Sequence, residues 1–450
     1  MIFNTDYRVE RFILDADFDC LPSEVKTRLR GCLIDLFGAL ICGAQSEQFR
    51  VGLRLSKKVF GAGTVPVIGS DERFSMIGAA SAMGHASNAY DIDDGHNIIR
   101  AHPGTSFIGG LLAAAYEKDL TLKDLFSAML AAYEVSIRMG VAIMDHYQYA
   151  HSSGTFGAVG IAVGVGKLLG FSKEKLNHAL SISEFHAPLV PGIRSVEYPS
   201  MNKDGVPFGV MIGMLAVAET ECGFTGNKNL LEADAYSHLA QDLGKSYEVM
   251  SLYFKPYPCC RWAHPAIDAC IQTMKENHIL HSDIEKIVIH TFHRATLLSK
   301  IEPKSADDAQ YNIAYPVATA IVHGDFSVAH ITESSFADRA VLAMMKKLHF
   351  VTDEDIERAF PQNRICRAEI FTKNGQAFVS RDHEPDGEAR DNIGIDWLTN
   401  KFHRIAGCAL EETDRSIILS LILGNENASV RTLIDTTNAL LLKNKKTGDK

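Results

Sequence analysis

The chain has two textures. Its first half carries long runs of small apolar residues with no polar stripe. These are Cys32–Cys42 closing at Gly43, Ile77–Ala89, Gly157–Leu169 closing at Gly170, Val206–Glu221 closing at Gly223, and a stretch that opens at Thr121 and reaches about Ile143. Thr121 and Asp124 have the spacing of a reciprocal N-terminal capping pair, and Ser172 is placed to cap a further helix, Lys173–Ser183. An interior glycine costs a helix about 1 kcal/mol relative to alanine. Helices that accept this cost and are apolar all round are covered on every side by close neighbours. The pattern predicts a dense bundle.

After about residue 250 the period shortens. Lys286–His293 (KIVIHTFH) alternates and is β-branched, which predicts a strand. Arg364–Phe371 and Gln376–Val379 flank Asn374–Gly375, the signature of a two-residue type I′ hairpin. Helix-like stretches, Ala314–His323 and Ser335–Lys347, lie between them, and helical pattern returns at Asp396–Arg404 and Asp414–Leu423. The expected architecture is mainly α. A large, discontinuous all-helical domain spans residues 1–250 and 396–450, and a smaller α+β lid domain, 251–395, is inserted into it. No internal repeat or low-complexity linker interrupts it.

Composition narrows the function. Of 450 residues, 45 are Lys or Arg and 55 are Asp or Glu, a net charge of -10, with 46% hydrophobic and 22% charged residues. This is an ordinary globular balance, and its mild acidity argues against a nucleic-acid binder. Lys443, Lys445 and Lys446 read as a solvated tail. Asp6, Arg8, Glu10 and Arg11 break up any secretion leader, and no run of about 18 apolar residues predicts a membrane span. The nine cysteines include no C-x-x-C pair, so they are expected to be reduced thiols in a cytoplasmic protein.

Four segments concentrate polar chemistry. Asp91, Asp93 and Asp94 crowd one short stretch ahead of His102, which Pro103 and Gly104 set on a loop before a helix. Mutually repelling carboxylates need compensation, whether the stretch is a site or merely an acidic helix cap. His151 precedes a Ser/Gly/Thr turn that opens a small-residue helix, whose free N–H groups suit an anion; the alternative is a plain cap beside a surface His. Lys203 sits just before the Val206 helix, as a carboxylate binder, a base or an exposed loop residue. The last segment, Lys255 to Pro265, gathers Lys255, Cys259, Cys260, Arg261 and His264, with Pro256 and Pro258 stiffening its first half, either lining an interdomain cleft or forming a rigid hinge. Lys255 and Arg261 would favour a thiolate if Cys260 were a nucleophile.

No dinucleotide fingerprint, P-loop, nucleophile elbow or zincin helix is present, and the Asp and His residues fall in no recognised metal-ligand spacing. Neither cofactor nor metal is expected. Imidazoles, cations and carboxylates together suit proton chemistry on a small polyanion.

Four segments in order, HASNAYDIDDGHNIIRAHPG, HSSGTFGAVGIAVGVGKLLG, MNKDGVPFG and FKPYPCCRWAHPAIDA, together with the later DWLTNKF, resemble the MmgE/PrpD family of 2-methylcitrate dehydratases, cis-aconitate decarboxylases and iminodisuccinate epimerases. The resemblance implies a homodimer with its site between a helical and an α+β domain. It implies catalytic roles for Asp91, His102, His151 and Lys203, with Lys255, Cys260, Arg261 and His264 toward the substrate. Two positions depart from the decarboxylase pattern: Gly95 stands in place of a Thr, and Cys260 in place of a His. The expected activity is a cofactor-independent lyase, a dehydratase or decarboxylase, acting on a small di- or tricarboxylate at the carbon α to a carboxylate. The alternatives are an isomerase or epimerase using the same groups, and a non-catalytic helical scaffold, for which the named residues would lie scattered.

Overall fold

The computed structural model describes residues 6–147, 153–189, 198–391 and 393–448. Its helical part comprises α1 (Arg8–Asp15), α2 (Ser23–Gly43), α3 (Glu47–Val59), α4 (Met76–Ser87), α5 (Pro103–Lys118), α6 (Leu122–His146), α7 (Ser153–Leu168), α8 (Lys173–His186) and α9 (Val206–Glu221). Each long apolar run is a helix. The Asp124 N–H donates to Thr121 Oγ1 at 3.2 Å, and the Thr121 N–H to Asp124 Oδ2 at 2.9 Å, closing the capping pair. α2 starts well before its apolar run because Ser23, Glu24 and Thr27 face solvent while Val25 and Leu29 are buried.

α7 lies at the centre, packed on α5, α6, α8 and α9. At its crossing with α9 the two backbones touch through Gly154 and Gly209, and a Cβ on either would overlap backbone of the other helix. α6 is long and apolar enough to cross a membrane, with a mean hydropathy of 1.3, but 89% of that window is buried by the surrounding protein, as befits a core helix.

One hydrophobic core gathers residues from Val9 to Phe254 together with Leu398–Leu441; another gathers Cys259–Ile370. The chain returns to the first core through the helix Ile395–Ala406, which packs on α2. Two short ribbons pair β1 (Ala62–Pro66) with β2 (Arg73–Phe74), and β3 (Gly95–His96) with β4 (Leu252–Tyr253).

The second core lies on a four-stranded sheet formed by β5 (Ile284–Thr291), β6 (Leu348–Thr352), β7 (Cys366–Thr372) and β8 (Ala377–Val379), in spatial order β6-β5-β7-β8. β6 runs parallel to β5, and the other pairings are antiparallel. α10 (His264–Glu276) packs on β7 and on the helix Ala314–His323.

Three details differ from the sequence pattern. β5 ends before His293 because that residue opens a helical turn. Ser335–Lys347 splits into Glu333–Phe336 and Arg339–Met345, since Asp338 caps the second helix by accepting from the Ala340 N–H at 2.8 Å. The hairpin has a three-residue loop, Lys373–Gly375, not a type I′ turn: Gly375 has a positive φ of 85° and Asn374 does not. The Gly375 N–H donates to Thr372 O, and the Thr372 N–H to Gln376 O, each at 2.9 Å. This is the geometry of a type I turn followed by a left-handed glycine.

Gly209→Ala should destabilise the protein by about 1–3 kcal/mol, because neither backbone at the α7–α9 crossing can yield to the added methyl group. Thermal unfolding would show a lowered midpoint; an unchanged midpoint would mean that the crossing is loosely packed.

Candidate active site

The acidic segment folds as a tight loop between α4 and α5. Asp91 adopts a left-handed φ of 49°, uncommon for a residue other than glycine. Arg100 (50°) and Lys203 (41°) share this conformation, so half of the six such non-glycine residues in the described chain lie at or beside the site, where strain tends to collect.

His102 is the N-cap of α5, directly before Pro103, which leads the helix. Its backbone N–H donates to the Ser153 hydroxyl at the head of α7 (2.9 Å), so two helix N-termini meet beside the imidazole. Nδ1 lies 2.7 Å from the Asp94 carbonyl and 3.3 Å from Asp93 Oδ2. Nε2 faces Asp91 Oδ1 and Lys255 Nζ, each at 3.4 Å, and Asp204 Oδ2 at 3.9 Å. Burial and the Lys255 charge push the His102 pKa down. Asp93, through charge and hydrogen bonding, and Asp91 outweigh them and raise it to about 9. The resting imidazole is therefore protonated at neutral pH.

Lys255, fully buried, forms an ion pair with Asp91 Oδ1 at 2.6 Å and donates to the Asp91 carbonyl at 3.1 Å. Burial opposes its charge, but Asp91, Tyr253 and Asp93 outweigh burial and hold it well above the ordinary lysine range. Asp91 Oδ2 accepts no hydrogen bond from any described residue, which leaves its lone pairs open to a ligand proton. Burial pushes Asp94 up to about 7, although its carboxylate accepts from Tyr133 and from the Gly104 N–H.

A narrow cleft, with a cavity volume of about 30 Å³, is lined by Asp91, Arg100, His102, Tyr253, Lys255, Cys260, Arg261, Trp262, Tyr311 and Arg364. Five residues singled out from the sequence, Asp91, His102, Lys255, Cys260 and Arg261, therefore share one cleft. His151 lies outside the described residues.

The remaining candidates are arranged differently from expectation. Lys203 donates to the carbonyls of Asn88 (2.6 Å) and Ala89 (2.7 Å) and to Gln310 Oε1 (2.7 Å). These contacts use all three ammonium donors, so Lys203 braces the acidic loop and has no free group for acid–base work. His264 is not part of the cleft lining. It is wholly buried, with Nε2 3.1 Å from the Cys259 carbonyl, and burial followed by the charges of Arg261 and Lys255 keeps it neutral. Arg261 is spent on Glu388 Oε1 (2.9 Å) and the Asp386 carbonyl (2.8 Å). Cys260 is not an activated nucleophile: burial and the nearby Asp91 push its thiol up to about 12, against the pull of Lys255.

Sequence reasoning missed Arg100, Arg364, Tyr311 and Asp204. Arg100 lies two positions before His102 and was within reach. Arg364 precedes β7 and looked like strand, and the Tyr311 hydroxyl reaches Asp204 Oδ2 (3.0 Å) from a segment without a motif. Tyr253 lies against Gly95 so closely that a Cβ there would overlap its ring, so the tyrosine fills the space a side chain at position 95 would occupy.

Asp91, His102 and Asp204 each offer a ligand atom within 4.8 Å of the others, the single such metal-capable cluster among the described residues. The Lys255 ammonium already sits among these atoms, at 2.6 Å from Asp91 and 3.4 Å from His102. As arranged, the set fits an ammonium, and a divalent ion would have to displace it.

The chain belongs to the MmgE/PrpD family. The family's N-terminal domain model matches residues 8–241 and its C-terminal domain model residues 257–425. A cis-aconitate decarboxylase of Aspergillus terreus is 21% identical over 90% of each chain. A second, from Aspergillus terreus strain NIH 2624, is 22% identical over 95% of this chain and 93% of its own. A cis-aconitate decarboxylase-like protein of Aspergillus oryzae is 21% identical over 91% and 92%. Family and relatives point to an enzyme of the decarboxylase or dehydratase kind.

His102 binds its proton more tightly folded than unfolded, since its pKa rises from the ordinary 6.5 to about 9. The stability this adds is complete below about pH 6.5 and lost as pH rises through about 9. The difference in unfolding free energy between the wild type and His102→Gln, followed from pH 6 to 10, should shrink across that window. A flat difference would mean that the imidazole is not held protonated.

Proposed function

We propose that this protein is a cofactor-independent lyase that moves a proton at the carbon α to a carboxylate of a small di- or tricarboxylate. The observation that carries the reading is His102 set 3.4 Å from both Asp91 and Lys255 in one cleft. Asp91, with one oxygen free of donors, is the base for the α-proton, and His102 is the acid. In a dehydration, His102 protonates the leaving hydroxyl. In a decarboxylation, CO2 departs and His102 protonates the carbanion. Either route builds negative charge on the retained carboxylate, and fixed cations in a dry site stabilise such charge far better than water does. The segment 251–395 acts as a lid whose closure keeps water away from the carbanion.

The fungal relatives are named for cis-aconitate, so that tricarboxylate heads the candidates. Two features turn the reading toward a different polycarboxylate. A Cys260 thiol raised to about 12 is a poor proton donor at neutral pH in place of an imidazole, and Tyr253 fills the space beside Gly95.

NMR in deuterated buffer with cis-aconitate, citrate, 2-methylcitrate, malates and tartrates is the direct test. New alkene signals or CO2 loss are expected, and Asp91→Asn, nearly isosteric, should lower kcat by about 10²–10⁴-fold with its fold retained. Deuterium entry or stereochemical scrambling without elimination would replace the lyase with an epimerase. Full activity in Asp91→Asn and His102→Gln would overturn the site.

We also infer a homodimer, supported by the family resemblance and by α9, whose apolar face leaves Phe208 60% and Leu215 43% exposed. Light scattering should report a dimer for the wild type and a monomer for Phe208→Glu; dimeric Phe208→Glu would exclude this face.

A further inference from the structure

The cations around the cleft are not equivalent. Lys203 has three acceptors, Lys255 has Asp91, and Arg261 has Glu388. Arg364 and Arg100 have no hydrogen bond or ion pair to any described residue, yet both line the cleft. Arg364 is only 5% exposed. Glu388, the carboxylate nearest in influence to Arg364, is already held by Arg261 at 2.9 Å and by the Asn97 amide at 2.8 Å.

Arg364 is almost wholly buried and Arg100 half-buried, so the donors of both guanidinium groups are left to whatever occupies the cleft they line. The two guanidinium groups also act on one another's surroundings, because the charge of Arg364 bears on Arg100 together with that of Arg294. Burial lowers the pKa of both groups; at Arg100 the charges of Arg294 and then Arg364 add to it, whereas at Arg364 Tyr253 and Glu388 pull the other way ahead of Arg261. Arg100 also holds a left-handed φ of 50°. No described residue makes a hydrogen bond or ion pair to either guanidinium, whereas a ligand carboxylate would: guanidinium forks match carboxylates in geometry and charge.

We propose that Arg100 and Arg364 form a carboxylate-binding subsite that holds the end of the substrate remote from the carbon at which His102 and Asp91 act. This rests on the reading of the cleft as a polycarboxylate site and sharpens it. One carboxylate lies at the Lys255 end, where charge develops, and at least one more is clamped by the arginine pair. The ligand class is therefore a di- or tricarboxylate whose second carboxylate is required for binding; a monocarboxylic acid leaves the clamp unfilled.

The test uses tricarballylate, a saturated tricarboxylate with no hydroxyl to eliminate and no alkene, so binding is read without turnover. Calorimetric titration at fixed pH and ionic strength compares tricarballylate, butyrate and inorganic phosphate on the wild type, Arg364→Met and Arg100→Met. Tricarballylate should bind the wild type well ahead of butyrate and phosphate, and each substitution should weaken it by about tenfold or more. In thermal unfolding without ligand, Arg364→Met should be at least as stable as the wild type, because an uncompensated charge has been removed, while the stabilisation by tricarballylate disappears. A guanidinium with a purely structural role would give the opposite, a ligand-free protein made less stable.

Unchanged tricarballylate affinity in both variants would overturn the clamp, as would no binding to the wild type. Phosphate binding as tight as tricarballylate would replace the carboxylate class with a general oxyanion site. If binding follows the arginines but no substrate turns over or exchanges deuterium, the clamp stands and the lyase reading falls. If turnover proceeds undiminished in both variants, the lyase reading stands and the clamp falls.

Discussion

The 2.6 Å contact between Lys255 and Asp91 joins the two halves of the polypeptide at their most polar point. Asp91, Asp93, Asp94 and Asp204 are all buried around one imidazole, and carboxylates withdrawn from water are tolerated only when cations and donors replace the lost hydration. The replacements come from distant parts of the chain. Lys255 reaches Asp91, Lys203 holds the carbonyls of Asn88 and Ala89, and Lys401 donates to the Ile92 carbonyl at 2.6 Å while pairing with Asp35 at 2.5 Å. Tyr133 and the Gly104 N–H hold Asp94. The acidic loop exists in this shape because three lysines, from residues 203, 255 and 401, converge on it.

This convergence couples stability to readiness for chemistry. The groups that make burial of the aspartates tolerable also fix the imidazole. Asp94 O holds Nδ1, which directs Nε2 into the cleft toward Asp91 and Lys255. Removing one partner would leave an uncompensated charge in a dry site, and breaking a buried pair in this way typically costs about 3–5 kcal/mol. The ribbon of β3 and β4 adds a backbone tie, because Gly95 and His96 pair with Tyr253 and Leu252 at the start of the segment that carries Lys255. Tyr253 thereby packs on Gly95 and lines the cleft at the same time.

Much of the helical part was legible because its signals are local. A capping pair such as Thr121 and Asp124 lies within one turn, and the unstriped runs of α7 and α9 can be buried only by helices on all sides. The strand β6 was not legible, since LHFVT is short and follows a helix without a turn residue. The site divided along the same line. Asp91 and His102 stand out because they are crowded together in sequence, and Lys255 because its loop is rich in donors. Lys203 could be placed near the chemistry from its motif, but its partners could not, because only three-dimensional packing brings it the carbonyls of Asn88 and Ala89. Arg364 carries no local signal: the proposed clamp rests on its having no hydrogen-bond or ion-pair partner among the described residues, which is a property of the fold.

The protein as a whole is acidic, with a net charge of -10, yet its cleft presents one carboxylate against four fixed cations, and His102 adds a fifth positive charge at neutral pH. Charges set between low-dielectric walls concentrate their field in the opening, so an anion is drawn to the cleft while the acidic exterior repels it elsewhere. Part of this positive charge is spent internally, Lys255 on Asp91 and Arg261 on Glu388. The surplus sits on Arg100, Arg364 and the protonated imidazole. On the proposed reading, a polyanionic substrate would complete an electrostatic balance that the described residues leave open. Binding energy gained at the proposed arginine clamp would then be available to hold the reacting carbon against Asp91 and His102, which is how interactions away from the chemistry come to accelerate it.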